Sequence, residues 1–232
     1  MFESLLRQRG RNASTLAQRL RSYPPYQAPH LGYGSQLSLA QAEANLAYFN
    51  EVMPRRLAAL GTLLKDTANI DIAPALDAPA TKATEITEAL DGWARTEWPA
   101  LRTPALAQYA RQHTTTRTGD DIVYSLLMDV AILFGEVIRR ANRAWRWALD
   151  LDEENLSDDM ASARRVVLLA DPVGTAPCPF LEDVEGVVIS RFQQPDSSIW
   201  GVGPDGAILR QVNPWHRMVV EGIRGDVMAW WR

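Results

Sequence analysis

Residues 120–150, DDIVYSLLMDVAILFGEVIRRANRAWRWALD, contain the helix around which we expect the rest of the chain to fold. The apolar residues of this stretch recur at helical spacing and form a wide stripe, made of Ile122, Leu126, Val130, Leu133, Phe134, Val137, Ile138 and Ala141. Thr118 or Asp120 is placed to cap the first turn by accepting a backbone N–H. Acidic residues at the start and arginines at the end complement the helix dipole. The pattern predicts a central, buried helix over residues 120–142.

The composition of the whole chain limits the classes of protein to which it can belong. Of the 232 residues, 47% are hydrophobic and 22% are charged, which is typical of a globular protein large enough to bury a core without disulfides or metals. The formal net charge of −4 argues against nucleic acid as the main partner, because phosphate binding needs a basic surface. The single cysteine, Cys178, excludes an internal disulfide and fits a reducing compartment.

The sequence predicts neither a secretory signal nor a membrane span. The N-terminal sequence, MFESLLRQRGRN, lacks the continuous apolar run of a secretory signal. Residues 122–138 come nearest to a membrane span, but Asp129 and Glu136 interrupt them, and the stretch is shorter than about 20 residues. We therefore expect a cytoplasmic protein that does not enter a membrane.

The first 119 residues are predicted to be all helical. Apolar residues at helical spacing indicate helices over about 39–66, 81–97 and 104–113. Ser38 can cap the first of these helices, and Pro54 should kink it or divide it. Residues 68–80 are expected to be a linker. Residues 1–22 contain five arginines against one acid, which fits either a basic arm or a solvated helix face docked by a few leucines.

After the central helix, strand patterns enter the sequence. Trp145 and Trp147 alternate with Arg146, which fits either the end of the helix or the start of a strand. Residues 180–192 carry both strand and helix signals, and we interpret them as a helix. The other predicted elements are a strand over 165–170, a hairpin with strands at 197–202 and 207–212, and a helix over 214–231.

These elements predict an α+β fold that is predominantly helical. A helical region at 1–119 is followed by an α+β region at 120–232. In the second region the central helix packs with a small antiparallel sheet and a C-terminal helix. We expect the two regions to pack together as one unit.

Two patterns in the sequence invite a catalytic or cofactor interpretation. Residues 201–206 match the G-x-G-x-x-G spacing of a dinucleotide loop, but their Pro-Asp-Gly turn is followed by a strand pattern where that loop needs a helix. Asp129 and Glu136 fall on nearly the same helix face and could do acid–base work with a histidine brought in by folding. The simpler interpretation pairs Glu136 with Arg139 or Arg140 one turn later, and Asp129 with a neighbouring backbone group.

The three histidines lie far apart in the sequence and form no metal-binding motif. We therefore predict no catalytic residue, no metal and no cofactor, and we do not expect an enzyme.

The candidate binding site is an acidic run after the central helix. It consists of Asp150, Asp152, Glu153, Glu154, Asp158 and Asp159, with no basic residue among them. A calcium loop starting at Asp150 would need glycine at its sixth position and glutamate at its twelfth, where this chain has Asn155 and Ala161. The run is either a solvated loop or a contact patch, in which a basic partner would relieve the crowding of like charges.

Part of this region resembles a module of small bacterial proteins. The resemblance is carried by Leu133–Arg140 (LFGEVIRR), Trp145–Asp150, Val166–Asp171 and Pro179-Phe180. In that module a helix with a Gly-Glu-apolar-apolar-Arg signature leads into a tryptophan-containing strand, a second strand and a helix that starts at Pro-Phe. The module occurs among uncharacterised proteins that include cognate immunity proteins of interbacterial toxins. The acidic insert at 150–163 replaces the usual tight hairpin, and no catalytic residues come with the resemblance.

Three functional hypotheses follow. The first is a bacterial immunity protein that binds a cognate toxin, basic at its contact surface, and occludes the toxin's active cleft while the acids at 150–159 steer the encounter. The second is a small hydrolase that uses Asp129 and Glu136 with a histidine. The third is a non-catalytic scaffold or adaptor with an exposed apolar face. We favour the immunity protein, and the sequence leaves its oligomeric state open.

Overall fold

The computed structural model of the chain describes residues 16–108, 110–171, 180–194, 201–202, 208–209 and 213–225. Its helices are α1 (Leu39–Ala68), α2 (Ala73–Asp77), α3 (Pro79–Glu97), α4 (Arg111–Thr114), α5 (Val123–Ala141), α6 (Glu153–Ser157), α7 (Val184–Gln193) and α8 (Pro214–Arg224). Its strands are β1 (Trp145–Leu149), β2 (Val166–Ala170), β3 (Phe180–Glu182), β4 (Gly201–Val202) and β5 (Ile208–Leu209). The predominantly helical α+β fold is confirmed.

The central helix α5 is buried on all sides. Every residue from Val123 to Ile138 is buried, so other elements must enclose the helix completely. Helices α1, α3, α7 and α8 pack against it, and β1 also contacts it. One cluster of buried apolar residues runs from Leu16 to Val219 and draws on both regions of the chain. The predicted position of this helix at the centre of the core is confirmed.

The start of α5 differs from the prediction. Neither Thr118 nor Asp120 caps it, because the chain enters α5 through a 3₁₀ turn at Gly119–Ile122, and no side chain caps either start. Asp121 is held by the preceding segment instead, since it accepts hydrogen bonds from Arg111 at 2.8 and 2.9 Å and from Thr115 at 2.7 Å. The capping prediction is therefore wrong.

Helix α1 begins as predicted. Ser38 and Gln41 form a reciprocal capping box at its start. The helix continues through Pro54, so proline does not divide it. Pro54 removes the hydrogen bond that the carbonyl of Asn50 would accept, and both residues are exposed, so water can solvate that carbonyl. The helix ends at Asn69, whose φ of 54° is left-handed.

Two segments of the first region contain different structure from that predicted. The expected linker at 68–80 includes α2, with Pro74 in its first turn. The expected helix at 104–113 is broken into a 3₁₀ turn at Ala105–Ala107 and the four-residue α4. Extended backbone at Gln108 and a left-handed Ala110 (φ 57°) interrupt it, so these predictions are wrong in detail.

Strands β1, β2 and β3 form an antiparallel sheet in that order. Trp145 pairs with Ala170, and Leu149 pairs with Val166, so the Trp-Arg-Trp segment is a strand and not the end of the helix. The sheet approaches α5 very closely at Gly135. A Cβ atom there would lie 2.1 Å from the Trp147 ring, so only glycine leaves room for this contact.

The segment predicted as a helix at 180–192 is divided. Its first three residues pair with β2 as β3, and the helix starts only at Val184. Asp183 caps that helix by accepting a hydrogen bond from the Gly186 N–H at 3.0 Å. Strands β4 and β5 pair as the predicted hairpin does. Helix α8 ends before the predicted residue 231, because Gly225 is left-handed with φ 75°.

Some predictions fall outside the described residues. These are the basic arm up to residue 15, Cys178, the turn of the hairpin and the residues after 225. Leu16 and Leu20 at the end of the arginine-rich segment are helical and buried. This part of the segment therefore docks through its leucines, as the simpler interpretation proposed.

Candidate functional site

The acidic run lies in the connection between β1 and β2, and its members differ in their surroundings. Asp150 is fully buried and accepts hydrogen bonds from the Asn155 side chain at 3.0 and 3.3 Å. Asp152 caps α6 by accepting from the backbone N–H groups of Glu154 and Asn155, both at 3.0 Å. The carboxylate of Asp150 is therefore enclosed by its own loop, unlike the other acids of the run.

The remaining acids reach the surface. Glu153, Glu154, Asp158 and Asp159 are exposed, and Asp152 is half-buried. Asp159 also accepts a hydrogen bond from the Ser35 N–H at 2.6 Å. The predicted contact patch therefore depends on these five residues, and the loop that carries them is tied to the segment before α1.

Large exposed apolar side chains occur in the acidic loop and in the segment bonded to it. Among the described residues they are Leu31, Leu39, Leu151 and Met160, each between 45% and 50% exposed. They lie in two segments, 31–39 and 151–160. Hydrogen bonds join these segments directly or through the adjoining Ala163, whose carbonyl accepts from the Gly34 N–H at 2.8 Å. We call these two segments the acidic face.

A partly open cavity of about 60 Å³ lies next to the acidic face. Its polar lining includes His30, Gln112, His113, Arg117, Arg164 and Arg165, together with Glu185 at the start of α7. We call this cavity the arginine cleft. No motif in the sequence pointed to it, because its residues come from six separate segments. The Arg164-Arg165 pair directly after the acidic run was the one available signal.

Glu185 holds two of the arginines in the cleft. Arg117 donates to its Oε1 at 2.8 Å, and Arg165 donates to its Oε2 at 2.5 Å. Burial alone would raise the pKa of Glu185, but the two guanidinium groups outweigh it and lower this pKa to about 2. Glu185 is therefore charged at neutral pH.

His113 in the same cleft is neutral at neutral pH. Burial, reinforced by the charges of Arg165 and Arg117, lowers its pKa to about 2. Its Nε2 lies 3.0 Å from the Gln112 Nε2, so the amide donates to the neutral ring.

Backbone strain surrounds the arginine cleft. Five non-glycine residues in the described chain have positive φ, and four of them lie in the segments that build the cleft and the acidic face: Ala110, Arg117, Asp159 and Arg164, with φ from 50° to 58°. Such conformations cost about 1–3 kcal/mol each and cluster at binding and catalytic sites. The strain at Arg117 and Arg164 marks the cleft as a candidate functional site.

The two carboxylates of α5 are both engaged by arginines. The Arg56 guanidinium donates to both oxygens of Asp129, at 2.7 and 2.6 Å, and the Tyr23 hydroxyl donates as well. Asp129 therefore pairs with a distant arginine, and the expected bond to a neighbouring backbone group is wrong. Burial raises the pKa of Asp129 to about 6, although Arg56 and Tyr23 oppose this shift.

Glu136 is paired as predicted. Arg139 donates to both of its oxygens at 2.7 and 2.9 Å, and Arg140 donates at 3.3 Å. The Trp147 indole adds a third donor at 3.0 Å. Burial raises the pKa of Glu136, but these donors outweigh it and lower the pKa below its usual value. Neither Glu136 nor Asp129 lines the arginine cleft, and both carboxylates are engaged by arginines.

The third histidine is remote from the other two. His30 and His113 line the arginine cleft, whereas His216 lies on α8, 3.3 Å from the Thr87 hydroxyl.

A separate pair of carboxylates lies between β3 and α8. Glu182 and Glu221 line a cavity of about 10 Å³, large enough for one water. Arg217 donates to the Oε1 of Glu221 at 3.0 Å. Burial and the neighbouring Asp183 and Glu221 raise the pKa of Glu182 to about 7. Glu182 therefore changes its charge near neutral pH.

Comparisons with known proteins find no relative of this chain. No protein-family model matches the chain, and neither a curated protein nor a solved structure is significantly similar to it. Within the described part of the chain, no helix is both long and apolar enough to cross a bilayer. The same residues contain no group of three or more His, Cys, Asp or Glu side chains arranged to hold a metal ion.

Proposed function

We propose that the protein is a bacterial immunity protein that binds a cognate toxin through the acidic face and blocks the toxin's active cleft. The observation that carries the proposal is that two features occur in the same pair of bonded segments. Four exposed large apolar side chains and four exposed acids lie in two segments that hydrogen bonds hold together. Single exposed leucines are ordinary on protein surfaces, but their concentration beside a charged group is typical of a binding surface.

The two kinds of residue have different roles in this proposal. The carboxylates of Glu153, Glu154 and Asp158 attract a basic toxin surface and speed the encounter. Leu151 and Met160 supply apolar area that becomes buried in the complex, where a few such anchors carry most of the affinity. The net charge of −4 adds to this steering.

Internal hydrogen bonds fix the acidic face before any partner arrives. Asp150 and Asp152 accept bonds within the loop, and Asp159 ties the loop to Ser35. A preformed loop loses less conformational entropy on binding, so more of the contact energy becomes affinity.

The resemblance to the bacterial module supports the choice of partner. Its Gly-Glu signature corresponds to Gly135 and Glu136, which meet Trp147 of the adjoining strand in this fold. Immunity proteins are among the proteins that carry this module, and a toxin is their partner. This partner class stays a proposal that rests on the resemblance.

The test is co-expression of the chain with each toxin candidate encoded beside it in the genome. We expect one neighbour to arrest growth when expressed alone and to be neutralised by this protein in a stable complex. If no neighbour is toxic, or none is neutralised, the proposal is wrong.

A matched pair of variants locates the contact. Glu154→Lys with Asp158→Lys changes two acids of the acidic face, and Glu51→Lys with Glu88→Lys makes the same charge change on exposed positions of α1 and α3. We expect the first pair to abolish protection and the second to retain it. Equal protection by both pairs would place the contact elsewhere.

A further inference from the structure

The arginine cleft carries more positive than negative charge. Among its lining residues, Arg117, Arg164 and Arg165 face the single carboxylate of Glu185. Asp183 supplies a second carboxylate to Arg165 at 3.2 Å. Arg164 donates to the main-chain carbonyls of Gly34 and Leu37 and has no acidic partner among the described residues. One guanidinium charge beside the cavity is therefore unmatched by a carboxylate, which favours an anion there.

Hydrogen-bonding groups in the cleft also lack partners. The Oε1 of Gln112 is buried and accepts no hydrogen bond from any described residue. The Nε–H of Arg165 has no acceptor, since its contacts to Ala161, Asp183 and Glu185 use the terminal nitrogens. A buried polar atom is nearly always satisfied, so the open Oε1 of Gln112 indicates an occupant of the cavity that donates a hydrogen bond to it, and the Nε–H of Arg165 can donate to the same occupant.

The size of the cavity limits that occupant. A volume of about 60 Å³ holds a few atoms, since one water needs about 10–15 Å³ on this measure. The more exposed lining residues include His30 and Leu31, so the cavity opens beside the loop before α1. The imidazole of His30 forms no hydrogen bond with any described residue, and only its backbone is held, by Asn45.

We propose that the arginine cleft binds a compact oxyanion that also carries a hydroxyl group, the chemistry shared by hydrogen phosphate and a short hydroxycarboxylate. An anionic oxygen accepts the free Nε–H of Arg165, and the hydroxyl donates to the Oε1 of Gln112. The positive charge of Arg164 balances the anion. Arg117 and Arg164 both have left-handed backbone and both line the cavity, so the strained residues coincide with the proposed anion site. This inference does not depend on the proposed function.

The histidines allow a test on the unaltered protein. His30 and His113 line the cleft, and His216 on α8 is an internal control. Imidazole resonances are followed by NMR during titration with inorganic phosphate, glycolate, acetate and chloride at matched ionic strength. We expect saturable shifts of His30 and His113, with His216 unchanged, for phosphate, glycolate or both.

Comparing the anions identifies which class of ligand the cleft binds. A response to phosphate alone assigns the cleft to phosphate, and a response to glycolate alone assigns it to hydroxycarboxylates. Acetate lacks the hydroxyl, so we expect it to bind about tenfold more weakly than glycolate, the effect of losing one hydrogen bond. Equal shifts of all three histidines, no saturable shift, or acetate binding as tightly as the hydroxyl-bearing anions would overturn the proposal.

A pair of variants checks the role of Gln112. Gln112→Met removes the open acceptor while keeping the length of the side chain, and Gln18→Met makes the same change at an exposed position. We expect the anion that responds to bind about tenfold more weakly to the first variant and unchanged to the second. Thermal unfolding in chloride shows that each variant is folded. Undiminished binding by folded Gln112→Met would contradict the assignment.

Discussion

The carboxylate of Asp129 is fully enclosed within α5, the most apolar of the described helices, and two side chains from other elements donate hydrogen bonds to it. Arg56 reaches it from α1 with a two-point contact, and Tyr23 donates from the segment before that helix. Arg56 itself is 4% exposed, so both charges of the pair have lost nearly all their water. A buried pair of this kind adds little net stability, yet loss of one partner is costly.

Arg56→Met should therefore destabilise the protein strongly. The remaining carboxylate would be left unpaired in an apolar core, and we expect a loss of about 3–5 kcal/mol in the free energy of unfolding, measured by urea denaturation. Arg55→Met is the control, because its side chain is exposed one residue away. The double variant Arg56→Met with Asp129→Leu should recover much of the loss. A double variant as unstable as the single one would contradict this account.

Glu182 should make stability depend on pH near neutrality. Its pKa in the folded protein, about 7, exceeds its ordinary value of 4.5. The folded state therefore binds this proton more tightly, and the stability it contributes is complete below 4.5 and lost as pH rises through 7. Glu182→Gln removes this loss. We therefore compare the Tm difference, variant minus wild type, at two pH values. We expect this difference to be more positive at about pH 8 than at about pH 5.

Glu185 provides the control of opposite sign. Its pKa is lowered, so its contribution is complete above the ordinary value and is lost only toward pH 2. Glu185→Gln should destabilise the protein at both pH values. If the Tm difference for Glu182→Gln does not change with pH, the raised pKa is wrong.

Among the elements, the contact between α5 and the sheet depends on a missing side chain. Gly135 faces the Trp147 ring, and the same indole donates to the neighbouring Glu136 at 3.0 Å. Trp147 also packs against Phe49 of α1, with ring centroids 4.8 Å apart. One tryptophan thus joins a strand to two helices, and the glycine decides how close they come.

Gly135→Ala should disrupt this contact. The added methyl would lie 2.1 Å from the indole carbons, so the strand or the ring must move, and we expect a loss of about 1–3 kcal/mol in the free energy of unfolding. Gly92→Ala on α3 is the matched control, because nothing lies within 4 Å of its added methyl. Alanine stabilises a helix interior relative to glycine, so the control should gain about 0.5–1 kcal/mol. Equal effects at the two positions would show that the indole is free to move.

The elements that the sequence predicted well are those encoded by local signals. The Ser38 cap, the apolar stripe of α5 and the pairing of Glu136 with Arg139 involve residues within one or two turns. Strand β3 and the interrupted helix near Ala110 were missed, because β3 exists only through its pairing with β2 and Ala110 takes a backbone conformation that alanine seldom adopts.

At the scale of the whole molecule, aromatic rings join helices that are far apart in sequence. Trp98, which follows α3, contacts Trp93, Phe192 and Trp215 with centroids 5.3–6.0 Å apart. Trp215 in turn contacts Phe134 of α5 at 5.3 Å. These contacts connect α3, α5, α7 and α8 within a single cluster of buried residues.

This shared core leads us to expect one cooperative unfolding transition. Tryptophan fluorescence follows the aromatic rings, and far-ultraviolet circular dichroism follows all helices, including α1. The two signals should change at the same urea concentration, because neither region can lose its packing without exposing α5. Separate midpoints would show that residues 1–119 and 120–232 unfold independently.

The candidate sites were only partly predictable because they are assembled from distant segments. The acidic run is contiguous and could be seen in the sequence, although the burial of Asp150 could not. The arginine cleft brings together His30, Gln112, Arg117 and Arg165, and each of them looks ordinary in its own stretch. Long-range hydrogen bonds hold these segments together, and no local sequence pattern encodes them. One example is the bond from the Gly32 N–H to the His113 carbonyl at 2.8 Å.

The connection between β1 and β2 closes at its base with two backbone hydrogen bonds. Asp150 donates to the Arg165 carbonyl at 3.0 Å, and Arg164 donates to the Asp150 carbonyl at 2.8 Å. Below this closure the strand register is complete. The residues between can diverge in length and sequence while the scaffold stays intact, since longer surface loops cost little in closure entropy. Another loop grafted onto the same two anchor points should therefore leave the pairing of β1 with β2 unchanged.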